Sequence, residues 1–345
     1  MSFRNYKDKI DEGDTVILYM CNNVYAIDVK KEILNKKGEL MENVYQTQFG
    51  ALKVGNLIGT AYGSRISLSK GWGHVLQPTP ELWSLTLPHR TQIIYTPDIS
   101  MITLQLDLVP GSIVVEAGTG SGSLTHALIR RVRPHGHVHT FDFHEHRANV
   151  AREEFVEHGL ADFVTVQHRD VLAQGFGEEL NGRADAVFLD LPSPWSGVPH
   201  AVDAIKKEGG RFCSFSPCIE QVQRTCLTLQ EHGFQDILTM EVLQTELKIN
   251  RRIVPIRDLS FLKHKSSENP VEEKPSGERS IPVATWPASV AGHTGYLTVA
   301  TLPPDFIRST HLKIKQNIYC HNFSHEKSIN QLTTFMRATT PVLPL

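Results

Sequence analysis

Short apolar runs alternate with stretches of helical period along the middle of the chain. The predicted strands, rich in apolar and β-branched residues, are 112–116, 137–143, 164–168, 186–189 and 210–215. The predicted helices are 99–108, 124–132, 147–158, 198–207 and 219–232. Strands that alternate with helices at this spacing predict a parallel sheet with crossover helices. Strands that are apolar on both faces indicate a sheet covered on both sides.

The two flanks of this region have a different pattern. On the N-terminal side, short β segments are predicted at 15–20, 24–29, 56–58 and 66–68, with turns between them. Such spacing is typical of a small antiparallel sheet or barrel. On the C-terminal side, 236–242 and 294–301 are strand-like with no clear helix between them. An antiparallel pair there would complete a seven-stranded sheet.

These patterns predict an α/β protein with several parts. A β-rich N-terminal domain covers 1–75, and a proline-rich connector with one short helix around 81–85 covers 76–98. An α/β domain covers 99–307. Within it, 264–280 contains a single aliphatic residue, so we interpret it as a flexible insertion. Residues 308–345 lack a clear period, and we expect disorder there.

Composition narrows the class of protein. The 345 residues are 40% hydrophobic and 21% charged, with a formal net charge of −2, which is typical of a soluble globular protein. This balance excludes a strongly basic nucleic-acid binder, although a local basic groove is compatible with it. No window is long and apolar enough for a transmembrane helix, and the N-terminal residues do not resemble a signal peptide. Five cysteines without a C-x-x-C pair predict reduced thiols, and no metal site is expected.

A glycine-rich turn, EAGTGSGS (116–123), follows the first strand of the α/β domain. Free N–H groups at the start of the next helix suit an electronegative ligand. A dinucleotide site would have the spacing G-x-G-x-x-G, whereas Gly118, Gly120 and Gly122 fall at alternate positions, with Glu116 two residues before them. This arrangement resembles motif I of class I S-adenosylmethionine-dependent methyltransferases, in which the acidic residue helps to hold the amino-acid end of the cofactor. A tight turn without a ligand is the alternative.

Two further acidic residues follow the next two predicted strands. Asp142 lies 20 residues after Gly122, where a carboxylate can accept hydrogen bonds from both ribose hydroxyls. Asp170 can accept from an adenine amino group, while the Val171 N–H could serve a ring nitrogen. The structural alternatives are a solvated strand-end carboxylate for Asp142 and a helix cap for Asp170. Because parallel strands end at one edge of a sheet, these groups are expected to converge there.

Asp190 ends the fourth predicted strand and opens the turn DLPSPW (190–195). Each proline fixes φ and so stiffens the turn. Trp195 offers a flat face for stacking, with core packing as its alternative. The turn differs from the D/N-P-P-Y/W turn that is common in amino-methylating enzymes. A carboxylate that only caps the turn is the structural alternative for Asp190.

Five separated motifs follow one another along the chain: LPHRTQIIY (87–95), EAGTGSGS (116–123), FLDLPSPW (188–195), RFCSFSPCIEQVQRT (211–225) and GHTGYLT (292–298). Over about 1–302, the chain resembles the catalytic subunits of eukaryotic tRNA (adenine-58-N1)-methyltransferases. The resemblance implies a class I methyltransferase fold, with a Rossmann-like seven-stranded sheet and a small β-rich N-terminal domain. It also implies S-adenosylmethionine as cofactor, tRNA as substrate, an α2β2 heterotetramer with a non-catalytic subunit, and location in the nucleus.

The implied reaction agrees with the residue types. Adenine N1 has an in-plane lone pair and no proton to lose, so the enzyme needs position and charge complementarity. A carboxylate at Asp190 would accept from the N6 amine, stabilise the developing cation and later take the N6 proton. The target base has to leave its stack to reach such a pocket.

The resemblance favours Gln92 and Thr294 as pocket residues, and Arg147 either lies near the cofactor or forms a surface salt bridge. Thr91, Gln92 and Tyr95 are expected where the connector covers the cofactor. The predicted cofactor-binding residues are Gln92, Glu116, Ala117, Gly118, Thr119, Gly120, Ser121, Gly122, Ser123, Leu124, Asp142, Arg147, Asp170, Val171 and Asp190. The predicted substrate-binding residues are Thr91, Leu189, Leu191, Pro192, Ser214, Phe215, Ser216, Pro217, Cys218, Gln221 and Thr294.

Basic residues are spread over several parts of the chain. Arg130, Arg131 and Arg133 cluster at a predicted helix end, where they also complement the helix dipole. The arginines at 251, 252 and 257 fall in a predicted loop and are better phosphate candidates. At a net charge of −2, the chain alone is expected to bind tRNA weakly, and a more basic partner is expected to supply much of the phosphate contact.

Other functions remain as alternatives at this point. One is a methyltransferase for another RNA, a protein or a small molecule, because isoaspartate methyltransferases share the core and a similar glycine turn. Another is a non-catalytic RNA-binding subunit, which the retained acidic residues and glycines argue against. A nicotinamide dehydrogenase is disfavoured by the glycine spacing.

Overall fold

The computed structural model describes residues 3–21, 23–245, 247–256, 277–287 and 294–308. The chain forms two compact units. The larger unit is Met1–Met240 with Gly295–Leu345, and the smaller is Glu241–Thr294. Within the described residues, no helix is both long and apolar enough to cross a membrane.

The larger unit begins with small antiparallel sheets. The strands are β1 (Thr15–Met20), β2 (Asn23–Asp28), β3 (Glu32–Leu34), β4 (Leu40–Glu42), β5 (Val44–Thr47), β6 (Gly50–Lys53), β7 (Arg65–Leu68) and β8 (Gly71–Leu76). Four of them form a sheet of order β2-β1-β8-β7, and β3-β4 and β5-β6 form two-stranded sheets. Inward side chains such as Val16, Leu18, Ile27, Val54 and Leu57 form one core beneath them.

Several details of this region differ from the sequence prediction, which did not include strands β3 to β6. Residues 56–58 were expected in a strand, but Val54–Leu57 is a 3-10 helix. Its ends Val54 and Leu57 are three residues apart and both buried, which is a helical rather than a strand period. Strand β8 was not predicted because glycines occupy two inward positions. A Cβ on Gly73 would lie 2.7 Å from Met20 Cγ, so the neighbouring strand fills that space.

The connector joins this sheet to the α/β domain. It contains α1 (Pro80–Ser84), close to the predicted helix, and leads into α2 (Thr96–Gln105). Thr79 caps α1 by accepting from the Leu82 N–H at 3.3 Å. Trp83, Leu87 and Ile93 form a small buried cluster against Ala26 of β2. The connector therefore packs on the N-terminal sheet rather than hanging free.

The α/β domain has the predicted seven-stranded sheet. Its strands are β9 (Ile113–Ala117), β10 (His137–Asp142), β11 (Val164–His168), β12 (Ala186–Leu189), β13 (Gly210–Ser216), β14 (Gln235–Met240) and β17 (Tyr296–Leu302), in the order β11-β10-β9-β12-β13-β17-β14. Strand β17 is antiparallel to both of its neighbours. The helices are α3 (Ser123–Val132), α4 (Glu145–Glu157), α5 (Val171–Gln174), α6 (Pro194–Ala204) and α7 (Ile219–Glu231). This confirms the predicted fold class.

The smaller unit contains an antiparallel pair, β15 (Lys248–Ile256) and β16 (Gly277–Thr285). Two expectations are corrected here. Residues 277–280 were placed in a flexible insertion, but they pair along β15, because backbone hydrogen bonds do not need apolar side chains. Arg251 and Arg252 lie in β15 rather than in a loop, for the same reason. Arg257, 264–276 and 309–345 lie outside the described residues.

Candidate active site

The candidate site lies where the order of the parallel strands reverses. Strand β9 pairs with β10 on one side and with β12 on the other. In open α/β sheets, ligands bind at the carboxyl ends of the strands at such a switch point. The glycine turn leaves the end of β9, and Asp190 leaves the end of β12. One pocket is lined by Glu116, the glycine turn and Asp190, together with the connector residues 91–94.

The glycines of the turn are required by its close contacts. Gly118, Gly120 and Gly122 have φ values of 102°, 53° and 77°, a region that L side chains rarely adopt. A Cβ on Gly118 would collide with the carbonyl oxygen of Asp190, and one on Gly120 would lie 2.7 Å from Thr91 Oγ1. The turn therefore presents a cradle of backbone groups, bare of side chains, on which the connector and Asp190 pack directly. A nucleoside ligand needs such close backbone approach, so the cradle fits the predicted cofactor.

Glu116 is a buried carboxylate beside this cradle, with 1% of its surface exposed. Thr125 Oγ1 donates a hydrogen bond of 2.7 Å to its Oε2. Burial raises the pKa of Glu116 to about 7, hydrogen bonds from Thr125 and Thr140 oppose the rise, and the charges of Asp190 and Asp142 add to it. Glu116 and Asp190 both line the pocket, and Asp142 is close enough for its charge to act on Glu116. Such a site favours a ligand that carries positive charge.

Asp142 is held at the end of β10 by several donors. Its buried carboxylate accepts from the Gly120 N–H at 3.0 Å and from the His144 N–H at 2.8 Å. Arg147 Nη2 donates to it at 2.8 Å. Because the Asp142 side chain is 1% exposed, the pair with Arg147 is not a surface salt bridge. Arg147 instead fixes the carboxylate that the sequence assigns to the ribose.

Asp170 has the capping geometry that the sequence left as an alternative. Its Oδ1 accepts from the Leu172 and Ala173 N–H groups, at 3.1 and 3.3 Å, and so caps α5. Val171, the first residue of α5, packs its side chain in the central core. Contact of Asp170 and Val171 with adenine stays a prediction.

The connector is fastened directly to the glycine turn. The N–H groups of Arg90 and Thr91 donate to Ser121 Oγ at 2.9 and 3.2 Å. Ser123 Oγ donates to the Ile94 carbonyl at 2.9 Å. These contacts place Thr91 and Gln92 at the pocket, as the sequence predicts. Tyr95 is the N-cap of α2 and is not among the pocket-lining residues.

A buried ion pair behind the turn was missed by the sequence analysis. Arg90 Nη1 lies 2.5 Å from Glu154 Oε2 of α4, and both side chains are at least 85% buried. Burial raises the pKa of Glu154, although the Arg90 charge and hydrogen bond oppose this. Since Glu154 is 64 residues from Arg90, only the folded chain brings them together.

Two buried histidines adjoin the same turn and were also missed. His126 Nδ1 lies 2.7 Å from the Gly122 carbonyl, and its Nε2 lies 2.9 Å from His158 Nδ1. Because a carbonyl can only accept, His126 carries its proton on Nδ1 and accepts from His158 at Nε2. Burial is the main cause that lowers the pKa of both rings, that of His126 to about 4. The spacing of His126 four residues after Gly122 is the local signal for this contact.

Ligand atoms of His126, Glu154 and His158 lie within 4.8 Å of one another, as they would around a metal ion. The hydrogen bond between the histidines and the Arg90 ion pair already engage one ligand atom of each. A second cation beside the Arg90 guanidinium would also be repelled. We therefore interpret these residues as a packed polar network.

Asp190 differs from the other carboxylates of the pocket. Its N–H donates to the Ala117 carbonyl at 2.9 Å, which fixes the backbone beside the glycine turn. Within the described part of the chain, no group donates a hydrogen bond to its carboxylate, so it does not cap the following turn. Burial raises its pKa to about 6. This carboxylate is therefore ionised at neutral pH and has open acceptor positions.

One of the residues predicted to bind the substrate, Gln221, contacts the turn after Asp190. Gln221 Nε2 donates to the Pro192 carbonyl at 3.0 Å, and its Oε1 accepts from the Cys218 N–H at 3.2 Å. Gln221 therefore ties the start of α7 to this turn. Leu189 and Leu191 pack on the central core.

The end of β13 supplies the remaining predicted substrate residues. Ser214 and Ser216 are buried, and their hydroxyl groups have no partner within the described residues. Phe215 fills the space beside Gly295, where a Cβ would collide with its ring. Pro217 follows in the loop before α7. Thr294 belongs to the smaller unit. The substrate roles of all these residues stay predictions.

Trp195 and Arg224 form a further contact near this turn. The Arg224 guanidinium lies 5.1 Å from the centre of the Trp195 ring, so the ring takes part in a cation–π contact. One of its faces is therefore already used by α7.

Comparisons with known proteins agree with this geometry. A family model described as tRNA methyltransferase complex GCD14 subunit matches residues 71–302. The tRNA (adenine(58)-N(1))-methyltransferase catalytic subunit of Dictyostelium discoideum is 41% identical over 314 residues, which cover 86% of this chain and 97% of that protein. The corresponding catalytic subunit of Candida albicans is 45% identical over 261 residues, which cover 74% of each chain.

Solved structures share the fold. A SAM-dependent O-methyltransferase from Thermotoga maritima is 28% identical, with a TM-score of 0.67 over 87% of this chain and 97% of that chain. The tRNA (m1A58) methyltransferase TrmI from Aquifex aeolicus is 23% identical, with a TM-score of 0.60 over 86% of this chain and 99% of that chain. From the switch-point pocket, the family match and these relatives, we conclude that the chain belongs to the GCD14 family of tRNA methyltransferase complex subunits.

Proposed function

We propose that this chain is the catalytic subunit that methylates N1 of adenine 58 in the T-loop of tRNA, with S-adenosylmethionine as methyl donor. The single observation that carries the proposal is the Asp190 carboxylate. It is ionised at neutral pH, has open acceptor positions and lies against the glycine turn. A non-catalytic subunit would not need such a group beside an intact cofactor cradle.

The pocket residues fit S-adenosylmethionine. The backbone groups of the glycine turn would hold the cofactor, with Glu116 at its amino-acid end. Asp142, fixed by Arg147, would accept from the ribose hydroxyls. Glu116 and Asp190, which line the pocket, favour the ammonium and sulfonium of this ligand over its carboxylate. When bound, the cofactor supplies a methyl group that is electrophilic because it is attached to the sulfonium.

Asp190 then acts on the target adenine. N1 already carries an in-plane lone pair, so the chain has to place the base rather than activate it. Methyl transfer moves positive charge onto the adenine ring. The Asp190 carboxylate accepts a hydrogen bond from the N6 amino group, stabilises this charge, and afterwards accepts the N6 proton.

The assembly follows from family and charge together. We propose that two copies of this chain combine with two copies of a non-catalytic subunit, and that the complex acts in the nucleus. The net charge of −2 supports a division of labour in which the partner supplies much of the phosphate contact.

Replacement of Asp190 tests the proposal. Asp190→Ala and Asp190→Asn should retain the fold and lower the turnover number by roughly 10²–10³-fold, because stabilisation of the developing charge is lost. Labelled S-adenosylmethionine and unmodified tRNA give the rate, with and without the partner subunit. Reverse-transcription stops then locate the product at N1 rather than N6.

The exposed Asp203 of α6 provides the matched control as Asp203→Asn. Near-normal methylation by a folded Asp190→Ala protein would show that the carboxylate has no catalytic role. Transfer of label to protein, or to an RNA other than tRNA, would favour one of the alternative methyltransferase functions.

A further inference from the structure

The outer face of the N-terminal sheet carries an exposed group of aromatic and basic side chains. His74 of β8 pairs in register with Tyr19 of β1 and with Arg65 of β7, and Trp72 pairs with Ser67. Partners in register share one face of a sheet. We call these five residues the sheet patch. The opposite face of the same strands, with Leu18, Ile66 and Val75, is buried in the core.

The other half of this outer face is covered. Ile17 is fully buried, and Ala26 packs against the connector cluster of Trp83, Leu87 and Ile93. Both residues lie on the same side of the sheet as Tyr19, because outward positions alternate along β1 and register relates β2 to it. The sheet patch is therefore the exposed part of a sheet face that elsewhere packs against the connector. Residues 91–94 of the connector line the cofactor pocket.

The chemistry of the sheet patch suits a nucleic acid. Trp72 is 50% exposed, and the Arg65 guanidinium lies 4.2 Å from the centre of its ring. The His74 ring meets Trp72 edge-on at 5.5 Å. In the described part of the chain no carboxylate forms an ion pair with Arg65. A guanidinium held over an indole ring can still direct N–H groups toward a phosphate.

The charged residues between Glu42 and Glu81 are all basic. No aspartate or glutamate occurs between Glu42 and Glu81, whereas Lys53, Arg65 and Lys70 do. In the four-stranded sheet, β7 and β8 carry Arg65 and no carboxylate. The carboxylate on the same face, Asp28 of β2, pairs in register with Thr15, beyond the covered Ile17 and Ala26. Proteins that bind unpaired nucleotides combine these two features, aromatic platforms and positive charge.

We propose that the sheet patch is an RNA-contact surface of the enzyme, distinct from the pocket at Asp190. Trp72 stacks on an unpaired base of the tRNA, and Arg65 contacts a backbone phosphate. The proposal rests on the proposed function, because it takes tRNA as the substrate. Tryptophan, tyrosine and arginine are also frequent in protein interfaces, but the polar Ser67 and His74 and the one-sided charge favour RNA.

The test uses the chain assembled with its partner subunit. Trp72→Ala and Arg65→Ala should each weaken tRNA binding and raise KM for tRNA by roughly 10-fold, since stacking and charge-assisted contacts have this size. The turnover number at saturating tRNA and the affinity for S-adenosylmethionine should not change. Arg65→Ala should also reduce the slope of log K against log salt by about 0.7–0.9, the value for one phosphate contact.

Two variants serve as controls. Trp72→Phe keeps an aromatic face and should retain most of the tRNA affinity. Lys53→Ala removes a cation from the same acid-free segment, but one that is paired with Glu42 at 3.0 Å, and it should leave the salt slope near that of the wild type. Circular dichroism and cofactor affinity establish that each variant is folded.

The possible results separate this proposal from the proposed function. Unchanged tRNA affinity in both Trp72→Ala and Arg65→Ala would overturn the RNA-contact surface. So would loss of partner binding together with normal tRNA affinity in the complex that remains, because the patch would then be a protein interface. Failure of the wild-type complex to methylate tRNA would overturn the proposed function instead, while direct binding of tRNA would still report on the patch.

Discussion

Glu116 shows how a residue that serves ligand binding can lower the stability of the folded chain. Its carboxylate is buried, and its pKa is raised to about 7, chiefly by burial. Above pH 7 the folded chain has to hold this group ionised in a poor solvent, whereas the unfolded chain ionises it freely. The ionised form therefore lowers the free energy of unfolding, and the effect fades as the pH falls from 7 toward the unfolded pKa.

We predict that Glu116→Gln makes the cofactor-free protein more stable at pH 8, by about 1–3 kcal/mol. The amide removes the buried charge and can still accept the hydrogen bond from Thr125. The gain should shrink toward pH 5, and the affinity for S-adenosylmethionine should fall. Urea unfolding at both pH values and calorimetric titration measure these effects. Equal stability of both proteins at pH 8 would contradict the assigned cost of ionisation.

Among single residues, the sequence analysis found those site residues that directly follow a predicted strand. The glycine turn, Glu116 and Asp190 each follow a predicted strand directly, so the switch-point rule brought them together. Arg90 and Glu154 could not be found in this way, because they are 64 residues apart and belong to elements whose contact depends on packing. Asp170 was ambiguous in sequence, because the same carboxylate position suits a ligand and a helix cap.

Among the elements, the connector is the one that links the N-terminal sheet to the cofactor turn. Its N–H groups at Arg90 and Thr91 converge on Ser121 Oγ. The side chain of Arg90 reaches Glu154 of α4. Displacement of this segment would therefore release both the glycine turn and the wall of the pocket.

We expect Arg90→Met to lower the free energy of unfolding by about 3–5 kcal/mol, because Glu154 would be left as an uncompensated buried carboxylate. The double variant Arg90→Met/Glu154→Leu should recover much of this loss, since it removes both charges. Urea unfolding of the two single variants and the double variant completes the cycle. Additive losses in the double variant would mean that the ion pair has no energetic role.

The ends of strands and helices were predicted best where the pattern of apolar residues was unambiguous. Strands β11 and β12 have the predicted ends, because β11 begins with alternating apolar and polar residues and β12 is a continuous apolar run. Helix α6 begins at Pro194, four residues before the predicted start. A proline in the first turn of a helix costs little, but it hides the helical pattern from an analysis of periodicity.

An aromatic cluster joins three parts of the larger unit. Phe3 stacks on His158 at 4.0 Å and meets Trp83 edge-on at 5.4 Å. His126 joins the same cluster. The N-terminal segment, the connector and the α/β domain thus share one set of contacts. None of this was visible in the sequence, because the four rings come from distant parts of the chain.

This cluster predicts a pH dependence of global stability. Burial lowers the pKa of His126 to about 4 and also lowers that of His158. Between about pH 6.5 and 4 the unfolded chain binds protons that the folded chain does not bind. The free energy of unfolding therefore falls as the pH falls. We expect His158→Gln, which can still donate to His126, to reduce the slope by up to about 1.4 kcal/mol per pH unit.

Urea unfolding between pH 4.5 and 7 measures this slope. The exposed His146 gives a control of the same composition as His146→Gln. If His158→Gln and the wild type lose stability in parallel, the buried ring does not account for the acid sensitivity of the fold.

The gathering of Glu116, Asp142 and Asp190 also bears on the release of the spent donor. Transfer of the methyl group would leave the sulfur neutral and place the positive charge on the nucleobase. After the methylated base has left as well, these carboxylates would lack that counter-charge within a poorly solvated space, where such an imbalance is unfavourable. The same electrostatics that draws a fresh donor in therefore weakens the hold on the used one, and inhibitors that keep a permanent cation at the sulfur position should leave more slowly than the natural by-product.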